Sequence, residues 1–236
     1  MNKGKLYLIP NVIADATHDV VISPQIINAL PNIRHFLAED IRSARRYLST
    51  LKIFESIESL DFQILDKDTP REILATLFNP LLNGSNMGII SEAGCPGVAD
   101  PGALAVKFAH ENNVEVVPLV GPSSILLALM ASGLNGQRFA FHGYLPIEAK
   151  ECTRVIRDME IESRHKNQTQ IFIETPYRNN NLKQLLVTTL KNETLLTIAL
   201  DVTGKGEKIN TFPVKQWKTI DYDMPKSPAV FLFLSF

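Results

Sequence analysis

Gly88-Ile89-Ile90-Ser91-Glu92-Ala93-Gly94-Cys95-Pro96-Gly97-Val98-Ala99-Asp100-Pro101-Gly102 decides how this chain is read. An apolar, strand-like run stops at Ser91. A loop dense in glycine and proline follows, carrying the carboxylate of Glu92, and Asp100-Pro101 then opens a helix. A second strand pattern, Val114 to Val120, leads into Gly121-Pro122-Ser123-Ser124, which again opens a helix. Glycine-bearing turns at the carboxyl ends of neighbouring strands are where open α/β sheets receive small ligands. The segment therefore predicts an enzyme that uses a small molecule.

The rest of the chain is consistent with that reading. Its 236 residues are 45% hydrophobic and 21% charged, enough to bury one large or two modest cores. A net charge of −1 creates no strong field toward nucleic acid or an anionic membrane. The sequence shows no signal-peptide pattern and no apolar run of the ~18 residues that spanning a bilayer requires. Cys95 and Cys152 suggest no disulfide framework, so a cytoplasmic location is expected.

Short apolar runs bounded by turn residues predict strands at 5–9, 35–38, 62–65, 87–91 and 114–119, with helices between them. Ser23-Pro24, Ile41 to Leu51, Thr69-Pro70-Arg71-Glu72 and Asp100-Pro101 mark the helices, Thr69 and Glu72 having capping-box spacing. Such alternation predicts a mostly parallel sheet. After a buried-looking helix from Pro122 to Ser132, strands are expected at 139–142, 170–174, 195–201, 209–214 and 229–235. Only two long helices, 148–166 and 177–191, lie among them, so that sheet must be mixed. Two successive α/β halves follow, 1–121 and 122–236, the first carrying the main loop and the second expected to complete the ligand cleft.

The loops lack the Gly-x-Gly-x-x-Gly and Gly-Lys-Ser/Thr spacings that cradle nucleotide phosphates, and Ile9-Pro10-Asn11-Val12-Ile13-Ala14-Asp15 has no glycine. A ligand held by backbone polar groups and apolar walls fits better, such as an adenosine joined to a sulfonium. No His, Cys, Asp or Glu grouping has metal-ligand spacing, so no metal is expected.

Ser91–Gly102 resembles the Ser-Asp-Ala-Gly-Thr-Pro-x-x-x-Asp-Pro-Gly signature of the tetrapyrrole methylase superfamily. It is most similar to the branch that 2′-O-methylates a cytidine of small-subunit ribosomal RNA. Ala38-Glu39-Asp40-Ile41-Arg42, Gly121-Pro122-Ser123-Ser124, Phe141-His142-Gly143-Tyr144-Leu145-Pro146 and Glu174-Thr175-Pro176-Tyr177-Arg178 match that branch in order, over nearly the whole chain. Asn11–Asp15 and Asp66–Pro70 depart from its pattern, and Glu92 replaces its aspartate.

The resemblance implies two α/β/α domains, 1–121 and 122–236, with a mostly parallel first sheet and a mixed second sheet, and a homodimer using S-adenosyl-L-methionine. It assigns the cofactor to Pro10, then Ser91, Glu92, Gly94, Cys95, Val98 and Ala99, then Ser123 and Ser124. In the second half it assigns Ile173, Glu174, Leu200, Asp201, Pro228 and Ala229, mostly through backbone atoms. Glu39, Asp40 and Glu174 are candidate general bases, and Arg42 and Arg178 candidate substrate contacts. The acceptor is expected to be an RNA ribose, as in 16S rRNA. The alternatives are a tetrapyrrole or other small metabolite, or a degenerate member that only binds the cofactor.

Overall fold

A computed structural model describes residues 3–220 and 222–236. The chain divides into two compact units, Met1–Ser123 and Ser124–Phe236.

Unit 1 holds β1 (Leu6–Ile9), α1 (His18–Val21), α2 (Pro24–Ala29), β2 (His35–Ala38), α3 (Ile41–Thr50), β3 (Asp61–Ile64), α4 (Leu74–Leu77), α5 (Asn79–Leu82), β4 (Met87–Ile90), α6 (Gly102–Glu111) and β5 (Val116–Pro118). The sheet order is β3-β2-β4-β1-β5, and every pairing is parallel. Side chains alternate between its faces, as the two-residue period of a strand requires. Leu6, Leu37 and Ile89 meet Leu77, Phe78 and Ala105 on one side. Ile9, Phe36 and Ile90 meet Ile26, Ala44 and Leu48 on the other. With both faces covered, the central strand β4 is buried along its whole length and apolar throughout.

Unit 2 holds α7 (Ser124–Ser132), β6 (Phe139–Tyr144), α8 (Ala149–Lys166), β7 (Thr169–Glu174), α9 (Asn179–Thr189), β8 (Leu195–Leu200), β9 (Lys208–Pro213), α10 (Val214–Trp217) and β10 (Ala229–Leu234). Its order is β6-β7-β10-β8-β9. Only β6 and β7 run parallel, so the sheet is mixed as the shortage of crossover helices demands. All six residues of β10 are buried, which places the most apolar run at the centre. Phe231 and Phe233 enter the core shared with Ile156 and Leu186, while Val230 and Leu232 enter the core beneath α7. A hydroxyl pair within this apolar sheet is satisfied internally. Thr197 Oγ1 lies 2.7 Å from Thr211 Oγ1, which also donates to the Ser132 carbonyl at the end of α7.

Two local expectations need correction. Thr69 does not cap a helix: its hydroxyl accepts from Asp66 N and donates to Asp66 Oδ1, closing a turn. The chain then passes through a short 3-10 turn, Arg71–Ile73, into two four-residue helices. Pro80 lacks the amide that one long helix would need there. Nor does Asp100 serve as the N-cap of α6, a place taken by Pro101. Leu104 is 39% exposed, and Ala105 and Ala109 form the buried face of that helix instead.

Phe231 has no exposed surface and stacks on Phe172 with ring centroids 5.8 Å apart. Phe231→Ala is expected to lose about 3–5 kcal/mol of unfolding free energy in a urea titration, through lost burial and the cavity left behind.

Candidate functional site

In unit 1 the parallel register aligns three strand ends. Ile90 of β4 pairs with Ile9 of β1 on one side and with Ala38 of β2 on the other. The next residues, Ser91, Pro10 and Glu39, therefore leave the sheet at one level along its carboxyl edge. Three of the segments singled out by sequence are side by side here.

The loops beyond those ends are tied together by Asn11. Its amide N–H donates to the Gly94 carbonyl at 2.9 Å. Its side-chain Nδ2 donates to the carbonyls of Ser91 and Glu92, both at 3.1 Å, and Oδ1 accepts from Val12 N. Tyr47 of α3 donates its hydroxyl to the Pro10 carbonyl at 2.8 Å, and burial pushes that phenol's pKa up. On the far side, Gly121 lies against the Pro10 ring so closely that a Cβ would stand 2.1 Å from Pro10 Cβ. Any side chain at 121 would therefore displace the end of β1.

The main loop is folded on itself by the carboxylate of Asp100. Its Oδ1 accepts from the amides of Gly97 and Gly102. Gly94 and Gly97 have φ of +70° and +84°, and Ala99 shares that left-handed region at +60°. Ser91 is buried and its hydroxyl donates to the Ala93 carbonyl, whereas Glu92, Val98 and Ala99 face outward. Cys95 points its thiol at the Pro122 carbonyl, 3.3 Å away, and burial raises its pKa, followed by the nearby Asp100 carboxylate. A thiol so placed is a packing group and not a thiolate nucleophile. Ser123 ends unit 1, next to the Gly121-Pro122 turn that this thiol touches.

Glu39 and Asp40 are adjacent in sequence but differ in chemistry. Asp40 is the N-cap of α3, accepting from Arg42 N at 2.7 Å and from the Ser43 hydroxyl at 3.1 Å, and those bonds lower its pKa. The half-buried Glu39 carboxyl has a raised pKa, first from desolvation and then from the carboxylates of Glu92, Asp100 and Asp66. Its proton affinity is thus raised mainly by loss of solvent, with the neighbouring negative charge adding to it. Arg42 is exposed, on the same helix as Asp40.

Unit 2 presents a similar edge. Ala229, the first residue of β10, pairs with Glu174 at the end of β7 and with Leu200 at the end of β8. Asp201 N donates to the Pro228 carbonyl at 3.0 Å. Glu174, Leu200, Asp201, Pro228 and Ala229 are therefore brought together, with Ile173 one residue before Glu174. Ser124 is the first residue of α7. Asp201 adopts φ +48° and its carboxylate receives Gly206 N, so it shapes the loop after β8. Glu174 is buried: Oε1 accepts from Thr175 N at 2.7 Å, and Oε2 lies 3.1 Å from Arg178 Nη2 without hydrogen-bond alignment. Asn179 Oδ1 and Thr203 Oγ1, a few residues past the ends of β7 and β8, are buried without a hydrogen bond, whereas Glu174 Oε2 keeps its ion pair with Arg178. Unpartnered polar atoms at one sheet edge are a ready-made set of acceptors for a polar ligand.

The signature residues could be found by pattern, but their supports could not. Asn11, Tyr47 and Asn179 carry no motif, and only their burial and bonding mark them. A buried asparagine just after an apolar strand was the one available hint for Asn11.

No protein-family model matches the chain. It is 28% identical over 234 residues to "Ribosomal RNA small subunit methyltransferase I" of Escherichia coli O157:H7, covering 98% of this chain and 78% of that protein. A protein of the same name from Synechocystis is 31% identical over 210 residues, 87% of this chain and 69% of the relative. Among solved structures, a uroporphyrin-III C-methyltransferase from Thermus thermophilus, complexed with S-adenosylhomocysteine, superposes with a TM-score of 0.56. It covers 98% of this chain and 97% of that one at 15% identity, which shows a common fold. The expected tetrapyrrole methylase architecture is thus the one observed.

Asn11→Asp is expected to lower stability by about 1–3 kcal/mol, because the Ser91 and Glu92 carbonyls lose their shared donor and face a carboxylate. Thermal unfolding followed by circular dichroism measures it.

Proposed function

This chain belongs to the ribosomal RNA small subunit methyltransferase I family, and from that premise we propose that it methylates the ribose 2′-hydroxyl of an RNA, using S-adenosyl-L-methionine. The observation that carries the reading is the raised proton affinity of Glu39 among Glu92, Asp100 and Asp66, at the same strand edge as Pro10 and Ser91. The same carboxylates that disfavour ionisation of Glu39 are complementary to a sulfonium, whose positive charge would relieve their repulsion.

S-adenosylmethionine supplies a methyl group on positively charged sulfur, a good leaving group that needs no Lewis acid. The residues of this chain then have three tasks. Backbone groups of Ser91, Gly94 and Cys95 in unit 1, and separately those of Leu200 and Ala229 in unit 2, would offer polar contacts to the donor. Asn11, Tyr47 and Asp100 fix the loops that present these groups, so that little reorganisation remains for the reaction. Glu39 would accept the proton that the attacking hydroxyl loses on methylation. Asp40 is less suited to that step, since its carboxylate is bonded into the first turn of α3. Glu174 is buried beside Arg178, in a position to accept a hydrogen bond from a bound ligand. Arg42, and Arg178 where it is not engaged by Glu174, offer guanidinium groups for phosphate. A homodimer in the cytoplasm completes the proposal, following the family resemblance.

Saturating S-adenosylmethionine at about 100 times its Kd is expected to stabilise the protein by about 2.7 kcal/mol, read as a rise in Tm. An unchanged Tm overturns the proposal. Glu39→Gln is expected to lower kcat on small-subunit rRNA about 10²–10⁴-fold while leaving donor binding in place. In the native enzyme activity rises with pH as Glu39 loses its proton, above the ordinary carboxylate range, and the variant loses that limb of the profile. A native enzyme that binds the donor and methylates a metabolite extract but not rRNA would reassign the acceptor.

A further inference from the structure

Just beyond β7, unit 2 displays an aromatic ring that the core does not use. Tyr177 is 80% exposed, and Lys226 Nζ stands 5.3 Å from its ring centroid. The two residues lie far apart in sequence, so something must hold them together. The first turn of α9 does so. Asn179 Nδ2 donates to the Ser227 carbonyl at 2.7 Å, and Asn180 receives Met224 N at 2.9 Å while donating to Asp223 Oδ1. These bonds fix the 223–227 loop on both sides of Lys226. On the other side, Arg178 donates to the Pro146 carbonyl at 3.3 Å and so holds the loop after β6. That loop carries Ile147, 83% exposed, and follows Tyr144, 59% exposed.

A tyrosine at a strand end would ordinarily turn its ring inward, because burying it is worth far more than an exposed cation contact. Here the ring stands outward with a lysine on it, beside Arg178 and three residues past Glu174. Stacking on an open aromatic face, with a cation placed for the backbone, is how proteins hold unpaired nucleotides, and it tolerates any base. We infer that Tyr177 and Lys226 seat an unpaired nucleotide of the RNA substrate, its base on the Tyr177 ring and its phosphate on Lys226. The inference rests on the RNA reading above and adds to it a place on unit 2 where the strand is gripped.

Methyl-transfer kinetics with tritiated S-adenosylmethionine on unmodified small-subunit rRNA test it, alongside calorimetric titration of the donor. Tyr177→Ala is expected to raise KM for RNA about tenfold or more, with kcat and donor Kd within twofold of the native values. Tyr177→Phe keeps the ring and is expected to restore the native KM. Lys226→Glu is an independent variant, expected to raise KM and to reduce its dependence on salt. Both residues are exposed, so an unchanged Tm confirms that the variants are folded. If native enzyme methylates RNA and Tyr177→Ala matches its KM, the seat is refuted and the RNA reading survives. If Tyr177→Ala weakens donor binding as much as RNA binding, the ring belongs to the donor site and the inference is overturned. If native enzyme binds the donor but neither binds nor methylates RNA, both readings are overturned together.

Discussion

Hydrogen-bond register is the constraint on which the rest depends. In unit 1 it sets Ile9, Ala38 and Ile90 at one level, so that Pro10, Glu39 and Ser91 emerge together. In unit 2 it sets Glu174, Leu200 and Ala229 at one level, although the chain reaches that edge from opposite directions. Slipping a strand by one residue would turn its core side chains toward the wrong face, so the apolar alternation that stabilises each sheet also aligns its loops. Each candidate edge is thus assembled by the same contacts that fold its own unit.

Above that frame, polar side chains do the finer work, and they do so mainly on backbone. Asn11 gathers three carbonyls, Asp100 gathers two amides, and Tyr47 holds the carbonyl of Pro10. This explains how the loop can carry Glu92 and Cys95 where relatives of the signature carry other residues. Those side chains are not what shapes it. Glu39 is the exception, a carboxyl whose partial burial, together with like charge nearby, sets its chemistry.

The fold was legible because apolar runs of strand length alternate with helical patterns, and because a run as apolar as Ala229–Leu234 can only be central. What failed was local. Thr69 and Glu72 have the spacing of a capping box, yet a nearer partner, Asp66, claims the threonine. Asp100 looks like a helix cap and instead closes its own loop. In both cases a side chain with several reachable backbone and carboxylate partners took one that spacing alone does not rank. The candidate site was legible in its motif residues for the same reason that glycine and proline are: they mark unusual backbone. Tyr177 lies in the Glu174–Arg178 motif, but Lys226 is in none, and the pair is made by a loop joined to α9 through Asn179 and Asn180.

The position of β10 has a consequence for assembly. It sits between β7 and β8, yet it follows both of them, and β9, in the chain. Until Ala229–Leu234 arrives, β7 and β8 have no neighbour in common, and their inner edges remain unpaired. The strands of unit 1 have all been made by residue 118. During synthesis, then, the first sheet can close while the second waits half-built with open strand edges, the condition in which chains pair with the wrong partner. Misassembly should start there, and helpers that shield nascent strands should act on the second half.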